Sequence, residues 1–139
     1  MAAFTTLPEW ADVEPVPQDD GPNPVCAIAY TQEYVQTMGY FRAALARNER
    51  SSRVLSLTEK VIELNPANYT AWQVRRACLH VVIAGEGTEG EGEGEGAANT
   101  SYSQELQFIE RVSGSNPKNY QIWYHRRIIA ERLRQQRVR

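Results

Sequence analysis

Apolar residues recur along this chain at helical spacing. Tyr30, Tyr34, Met38, Phe41 and Leu45 step by four, four, three and four, the stripe of an amphipathic helix over about 30–47. Val54, Leu57, Val61 and Leu64 form the face of a second helix over 52–64, with Ser51 placed to cap it. A third is expected over 69–84. Tyr102, Leu106 and Ile109 mark a fourth over 102–113, and a fifth runs over about 119–134. Ahead of them, Pro8, Pro15, Pro17, Pro22 and Pro24 punctuate a lead that reads as extended, with a turn at Asp19-Asp20-Gly21 and Trp10 as a candidate apolar anchor. Between the third and fourth helices, residues 85–101 alternate glycine with glutamate. Such a segment cannot bury enough apolar surface to offset its chain entropy, so a disordered acidic loop is expected. The chain thus divides into a proline-rich lead, 1–29, and a helical domain, 30–139.

The pattern is also repeated. Residues 65–76 read NPANYTAWQVRR and residues 116–127 read NPKNYQIWYHRR, identical at seven of twelve positions without a gap. In each copy the proline stops the preceding helix. Asn68 and Asn119 then suit the N-cap of the next helix. Tyr69 with Trp72, and Tyr120 with Trp123, stand three residues apart and share a helix face, as core aromatics do. One turn on, Arg75–Arg76 and Arg126–Arg127 are placed to meet carboxylates of a neighbouring helix or partner. The unit is therefore helix, Asn-Pro turn, helix. Its period of 51 residues falls to the mid-thirties, roughly, without the acidic insertion, the size of a helical-hairpin repeat. The fold class is all-α: antiparallel helical hairpins in an alpha-alpha superhelix, one lead helix followed by two hairpins. Each hairpin needs neighbours to cover its face. The array reads as truncated, with Ile122, Ile129 and Leu133 partly uncovered, so the chain is expected to be a fragment or to need a partner.

Charge narrows the functional classes. The net charge of −2 gives no global nucleic-acid footprint. It is uneven: residues 118–139 carry seven Lys or Arg against Glu131 alone, and residues 86–95 carry five Glu and no base. The basic end suits an anionic ligand or an acidic partner. Cys26 and Cys78 lack zinc-site spacing, and the Gly-Glu segment lacks a calcium-loop pattern, so no metal site is expected in the chain. Free cysteines, no secretory leader and no membrane-length apolar run fit a cytoplasmic protein. His80 and His125 read as packing or hydrogen-bonding residues rather than catalysts.

The lead EWADVEPVPQDDGPNP, followed in order by the two Asn-Tyr-x-x-Trp repeats, closely resembles the alpha subunit shared by protein farnesyltransferase and protein geranylgeranyltransferase type I. The alpha subunit of Rab geranylgeranyltransferase shares the repeats, but the lead favours the shared type. The resemblance covers about residues 7–84 and 102–134. It implies helical hairpins around a catalytic beta subunit, and transfer of farnesyl or geranylgeranyl to the cysteine of a C-terminal CaaX motif. Zinc, with magnesium as a further candidate, is then expected through the beta subunit. The differences between the two copies gain meaning here. Lys118 replaces Ala67, at a helix N-terminus where an anion would relieve its unfavourable charge. By resemblance, Lys118 binds the isoprenoid diphosphate and offsets charge as it leaves. Tyr120 lines the active-site cleft, and Gln121, where the first copy has Thr70, bonds the peptide carboxylate. The alternative is a non-catalytic scaffold whose repeat surface binds a partner protein or peptide.

Overall fold

The computed structural model describes residues 7–85 and 101–138. Most of the acidic loop, residues 86–100, lies outside them. Among the described residues there are five α-helices and no strand: α1 (Gln32–Arg47), α2 (Ser52–Leu64), α3 (Tyr69–Ala84), α4 (Tyr102–Ser115) and α5 (Tyr120–Val138). They fall into two compact units, Met1–Glu49 and Arg50–Arg139.

In the first unit a short 3-10 helix, Pro8–Trp10, opens the lead. Trp10 is buried and meets Tyr40 of α1 edge-on, ring centroids 5.7 Å apart. The lead then lies along α1. The Val16 amide donates to the Gly39 carbonyl at 3.0 Å, and the Arg42 guanidinium donates to the Val16 carbonyl at 3.0 Å and to Gln18 Oε1 at 2.7 Å. At Asp19-Asp20-Gly21 the carboxylate of Asp19 accepts from the Gly21 amide at 2.9 Å, and Gly21 takes the left-handed φ of 80° that the turn needs. Thr31 caps α1 through the Tyr34 amide, so the helix begins two residues later than the apolar stripe suggested.

The stripe captures only part of the buried face of α1: Phe41 lies in the core as expected, and Tyr34 and Met38 are half-buried. Tyr30 and Leu45 are exposed, while Thr37, Tyr40, Phe41 and Ala44 are buried. Tyr30 instead stacks on Tyr34, centroids 4.6 Å apart. Gly39 accounts for part of the difference. A Cβ on Gly39 would stand 3.1 Å from the Pro15 Cβ, so the lead approaches α1 where a large side chain would hold it off. Gly39→Val is therefore expected to lift the lead. In a Trp123→Phe background, Trp10 emission should shift red and become more accessible to acrylamide; an unchanged spectrum would show that this approach does not require glycine.

In the second unit α2 pairs with α3 and α4 with α5, while α3 also packs on α5. The starts are capped as local chemistry dictates: Ser51 accepts from the Val54 amide, Asn68 from Ala71 and Ser101 from Gln104. The inner faces bury Val54, Val61, Ile62, Trp72, Leu79 and Ile109 almost completely. Ile122 and Ile129, expected to be partly uncovered, are fully buried; α3 and α4 already cover that face of α5. Leu133 is half-buried. What stays open on α5 is the opposite side, Trp123 and Tyr124.

Candidate functional site

The two Asn-Pro turns come together. The Pro66 carbonyl accepts from the indole Nε1 of Trp72 at 2.9 Å and from the side-chain Nδ2 of Asn119 at 2.8 Å. Trp123 repeats the first of these bonds in its own turn, donating to the Pro117 carbonyl at 3.1 Å. Beside this junction an open groove of about 570 Å³ is lined by Ala67 from the first turn and by Asn116, Pro117, Lys118, Asn119, Tyr120 and Gln121 from the second. Lys118, Tyr120 and Gln121, singled out from the sequence, thus share one groove. Lys118 and Tyr120 are exposed and Gln121 is half-buried.

Asn119 builds the floor of that turn. Its Oδ1 accepts from the Gln121 amide at 2.9 Å and from the Ile122 amide at 3.3 Å, capping α5. The remaining orphan amides of the first turn of α5 give the groove partial positive charge, and the Lys118 ammonium adds a full one. This arrangement can hold an anion and can donate a hydrogen bond from the Gln121 amide side chain. Among the described residues, no group of three or more His, Cys, Asp or Glu is placed to hold a metal ion.

A buried polar cluster locks the second hairpin to the first. The Arg75 guanidinium meets the Glu105 carboxylate with two parallel bonds, Nε to Oε1 at 2.7 Å and Nη2 to Oε2 at 2.8 Å, and also donates to the Leu55 carbonyl at 3.1 Å. His125 Nε2 lies 2.9 Å from Glu105 Oε1, and its Nδ1 lies 3.3 Å from Arg76 Nη1. Because an arginine only donates, Nδ1 must accept and Nε2 must carry the proton. The Arg75 guanidinium also stacks over the Phe108 ring, 4.0 Å from its centroid, and Trp72 is covered by Phe108 and His125. Sequence reasoning missed Glu105 and gave His125 only a generic role. A signal existed: counted from the Asn-Pro turns, Glu105 replaces Val54 and His125 replaces Val74, two polar substitutions on apolar faces that make sense only as a pair.

Burial pushes the Glu105 carboxyl up, but hydrogen bonds and charge from His125 and Arg75 outweigh it and leave it below its ordinary value. Burial holds the His125 imidazole below 6.5, against the pull of Glu105. Both groups act in the same direction. A folded-state pKa below the unfolded one gives stability that is present above the unfolded value and lost as pH falls through the folded one. The melting midpoint should therefore fall once pH drops below about 6.5 for His125, and again below about 4.5 for Glu105. His125→Gln, which keeps a donor for Glu105 and cannot protonate, should flatten the first decline. A midpoint independent of pH between 7.5 and 5.5 in the unmutated chain would contradict this.

The remaining repeat residues divide. Asn68 caps α3, and Trp72 and Arg75 are buried. Of the aromatics expected in a core seam only Trp72 is buried; Tyr69 and Tyr120 are exposed, at 66 % and 86 %, and Trp123 is exposed too. Each tyrosine is the first residue of its helix, so its ring lies at the open end rather than against the packed face. Arg76 meets no carboxylate among the described residues. Its guanidinium lies 5.2 Å from the Tyr124 ring centroid, and burial lowers its pKa. Arg126 is exposed, and Arg127 pairs with Glu131 one turn on at 3.2 Å.

The family model of the protein prenyltransferase alpha subunit repeat matches residues 51–81 and 102–133, one match per hairpin. A protein farnesyltransferase/geranylgeranyltransferase type-1 subunit alpha of Solanum lycopersicum is 49 % identical over 115 residues, covering 83 % of this chain and 29 % of that protein. Its counterpart in Schizosaccharomyces pombe is 38 % identical over 122 residues, covering 87 % of this chain and 36 % of that protein. The chain therefore spans about a third of the length of these relatives. Among solved structures, Candida albicans protein geranylgeranyltransferase-I complexed with GGPP matches with a TM-score of 0.71 at 28 % identity, covering 91 % of this chain and 37 % of that one. A repeat matched in both hairpins, in a chain nearly half identical to a named alpha subunit over most of its own length, settles the kinship: the chain belongs to the protein prenyltransferase alpha-subunit family.

Proposed function

We propose that this chain forms part of the alpha subunit of a heterodimeric protein prenyltransferase, acting in the cytoplasm, that attaches farnesyl or geranylgeranyl to the cysteine of CaaX-motif proteins. The observation that carries the reading is the groove that gathers Lys118, Tyr120 and Gln121 at the N-terminus of α5. Lys118 binds the diphosphate of the isoprenoid and offsets the negative charge that grows on it as the carbon–oxygen bond breaks. The amide ends of α5 add to that field. Gln121 donates to the terminal carboxylate of the peptide, and Tyr120 forms a wall of the cleft. The thiolate-activating zinc comes with the beta subunit, and magnesium is a further candidate on the diphosphate. This division of labour needs no metal ligands from this chain.

The test is co-expression with a farnesyltransferase-type beta subunit, then size exclusion and a prenyl-transfer assay on a CaaX peptide. A stable heterodimer that transfers farnesyl or geranylgeranyl supports the reading. A stable heterodimer without transfer would leave the alternative, a binding scaffold, for which the open aromatic surface of Trp123 and Tyr124 speaks. Absence of any complex would refute the assignment for these 139 residues.

A further inference from the structure

We propose that Asn119 is a positioning residue, fixing Lys118 and Gln121 by tying the second Asn-Pro turn to the first through the Pro66 carbonyl. The inference rests on the function proposed above and adds to it a residue that does not touch the substrate. Three bonds converge on one side chain. Oδ1 accepts from the Gln121 and Ile122 amides, which sets the first turn of α5. Nδ2 reaches 53 residues back along the chain to Pro66. That carbonyl is itself held by the Trp72 indole, and Trp72 is sealed in the core. The tie therefore anchors the flanks of Asn119, Lys118 on one side and Tyr120–Gln121 on the other, to the buried core of the first hairpin. It also explains why the groove has Ala67 in one wall although the first turn brings no charge to it.

The two repeats supply an internal control. Asn68 is the equivalent residue of the first copy and caps α3 through the Ala71 amide at 3.2 Å. Among the described residues its Nδ2 bonds no neighbouring turn. Asparagine to serine keeps a capping oxygen in either place, since serine caps about as well as asparagine. Serine is too short and has no amide to reach Pro66. Asn68→Ser thus exchanges a cap, and Asn119→Ser exchanges a cap and cuts the tie.

Two measurements decide the matter. In the 139-residue chain alone, the side-chain amide protons of Asn119 should exchange with solvent more slowly than those of Asn68, by about tenfold or more, as expected for a bond that breaks only with local unfolding. In the assembled heterodimer, Asn119→Ser should lower kcat by about tenfold with KM for the CaaX peptide changed less than about twofold, the pattern of misplaced reacting groups. Asn68→Ser should leave both constants within about twofold of the unmutated enzyme. Equal exchange rates for the two side chains would overturn the tie. Equal kinetics for the two serine variants would overturn its role in positioning. If the unmutated heterodimer transfers no prenyl group, the enzymatic reading fails, and the exchange measurement still decides whether the tie exists.

Discussion

Glu105→Ala is expected to destabilise the chain by about 3–5 kcal/mol, measured by chemical denaturation at pH 7.5. The carboxylate is almost fully buried and accepts both bonds of the Arg75 fork as well as one from His125. Its removal leaves the Arg75 guanidinium buried without a counter-charge, and an uncompensated buried charge is among the most costly defects a core can hold. Arg75→Ala should cost a similar amount by stranding the carboxylate. Replacing both at once, Arg75→Met with Glu105→Leu, should recover much of the loss, because an apolar pair of similar volume avoids the desolvation that an ion pair must overcome. His125 and the backbone acceptor at Leu55 also lose their partners in that double variant, so recovery should be incomplete. Additive losses from the two single changes would refute the coupling.

Lys118→Ala in the heterodimer should slow prenyl transfer by about a hundredfold, the range seen when one preorganised charge-stabilising group is removed. The peptide should still bind, since its carboxylate is assigned to Gln121. Gln121→Ala should do the reverse, raising KM for the peptide more than it lowers kcat. A loss that scales equally on substrate binding and turnover in Lys118→Ala would place the lysine in general binding rather than in charge stabilisation. Lys118→Arg restores charge but not shape, since a guanidinium is a planar fork and an ammonium a compact point. It should recover only part of the rate.

Much of this is legible in the sequence. α2 was expected over 52–64 and spans Ser52–Leu64, because both of its limits are local: Ser51 caps it, and the Asn-Pro turn stops it. The turn at Gly21 was likewise local. α1 buries Phe41 as its stripe expects, but it also packs Tyr40 on Trp10 and Gly39 close to Pro15, and a stripe drawn through bulky side chains cannot register a glycine chosen for closeness. α5 runs on to Val138 rather than ending near 134, since no glycine or proline stops it there. Lys118 and Gln121 stand out as differences between otherwise matched repeats, whereas Tyr120, shared with Tyr69, is singled out only by the family resemblance. The long-range bonds do not stand out, because Arg75 with Glu105, and Asn119 with Pro66, join residues 30 and 53 positions apart and depend on which helix faces which.

The three tryptophans have a practical consequence. Trp10 and Trp72 are shielded, at 4 % and 0 % exposure, while Trp123 is open at 46 % although it keeps the same bond to its own turn as Trp72. The chain thus carries a built-in optical gauge: two indoles report whether each compact unit is folded, and the third responds to whatever approaches the outer side of α5. Red-edge emission and acrylamide quenching of Trp123 can follow that approach without a dye, while the buried pair serves as the constant reference.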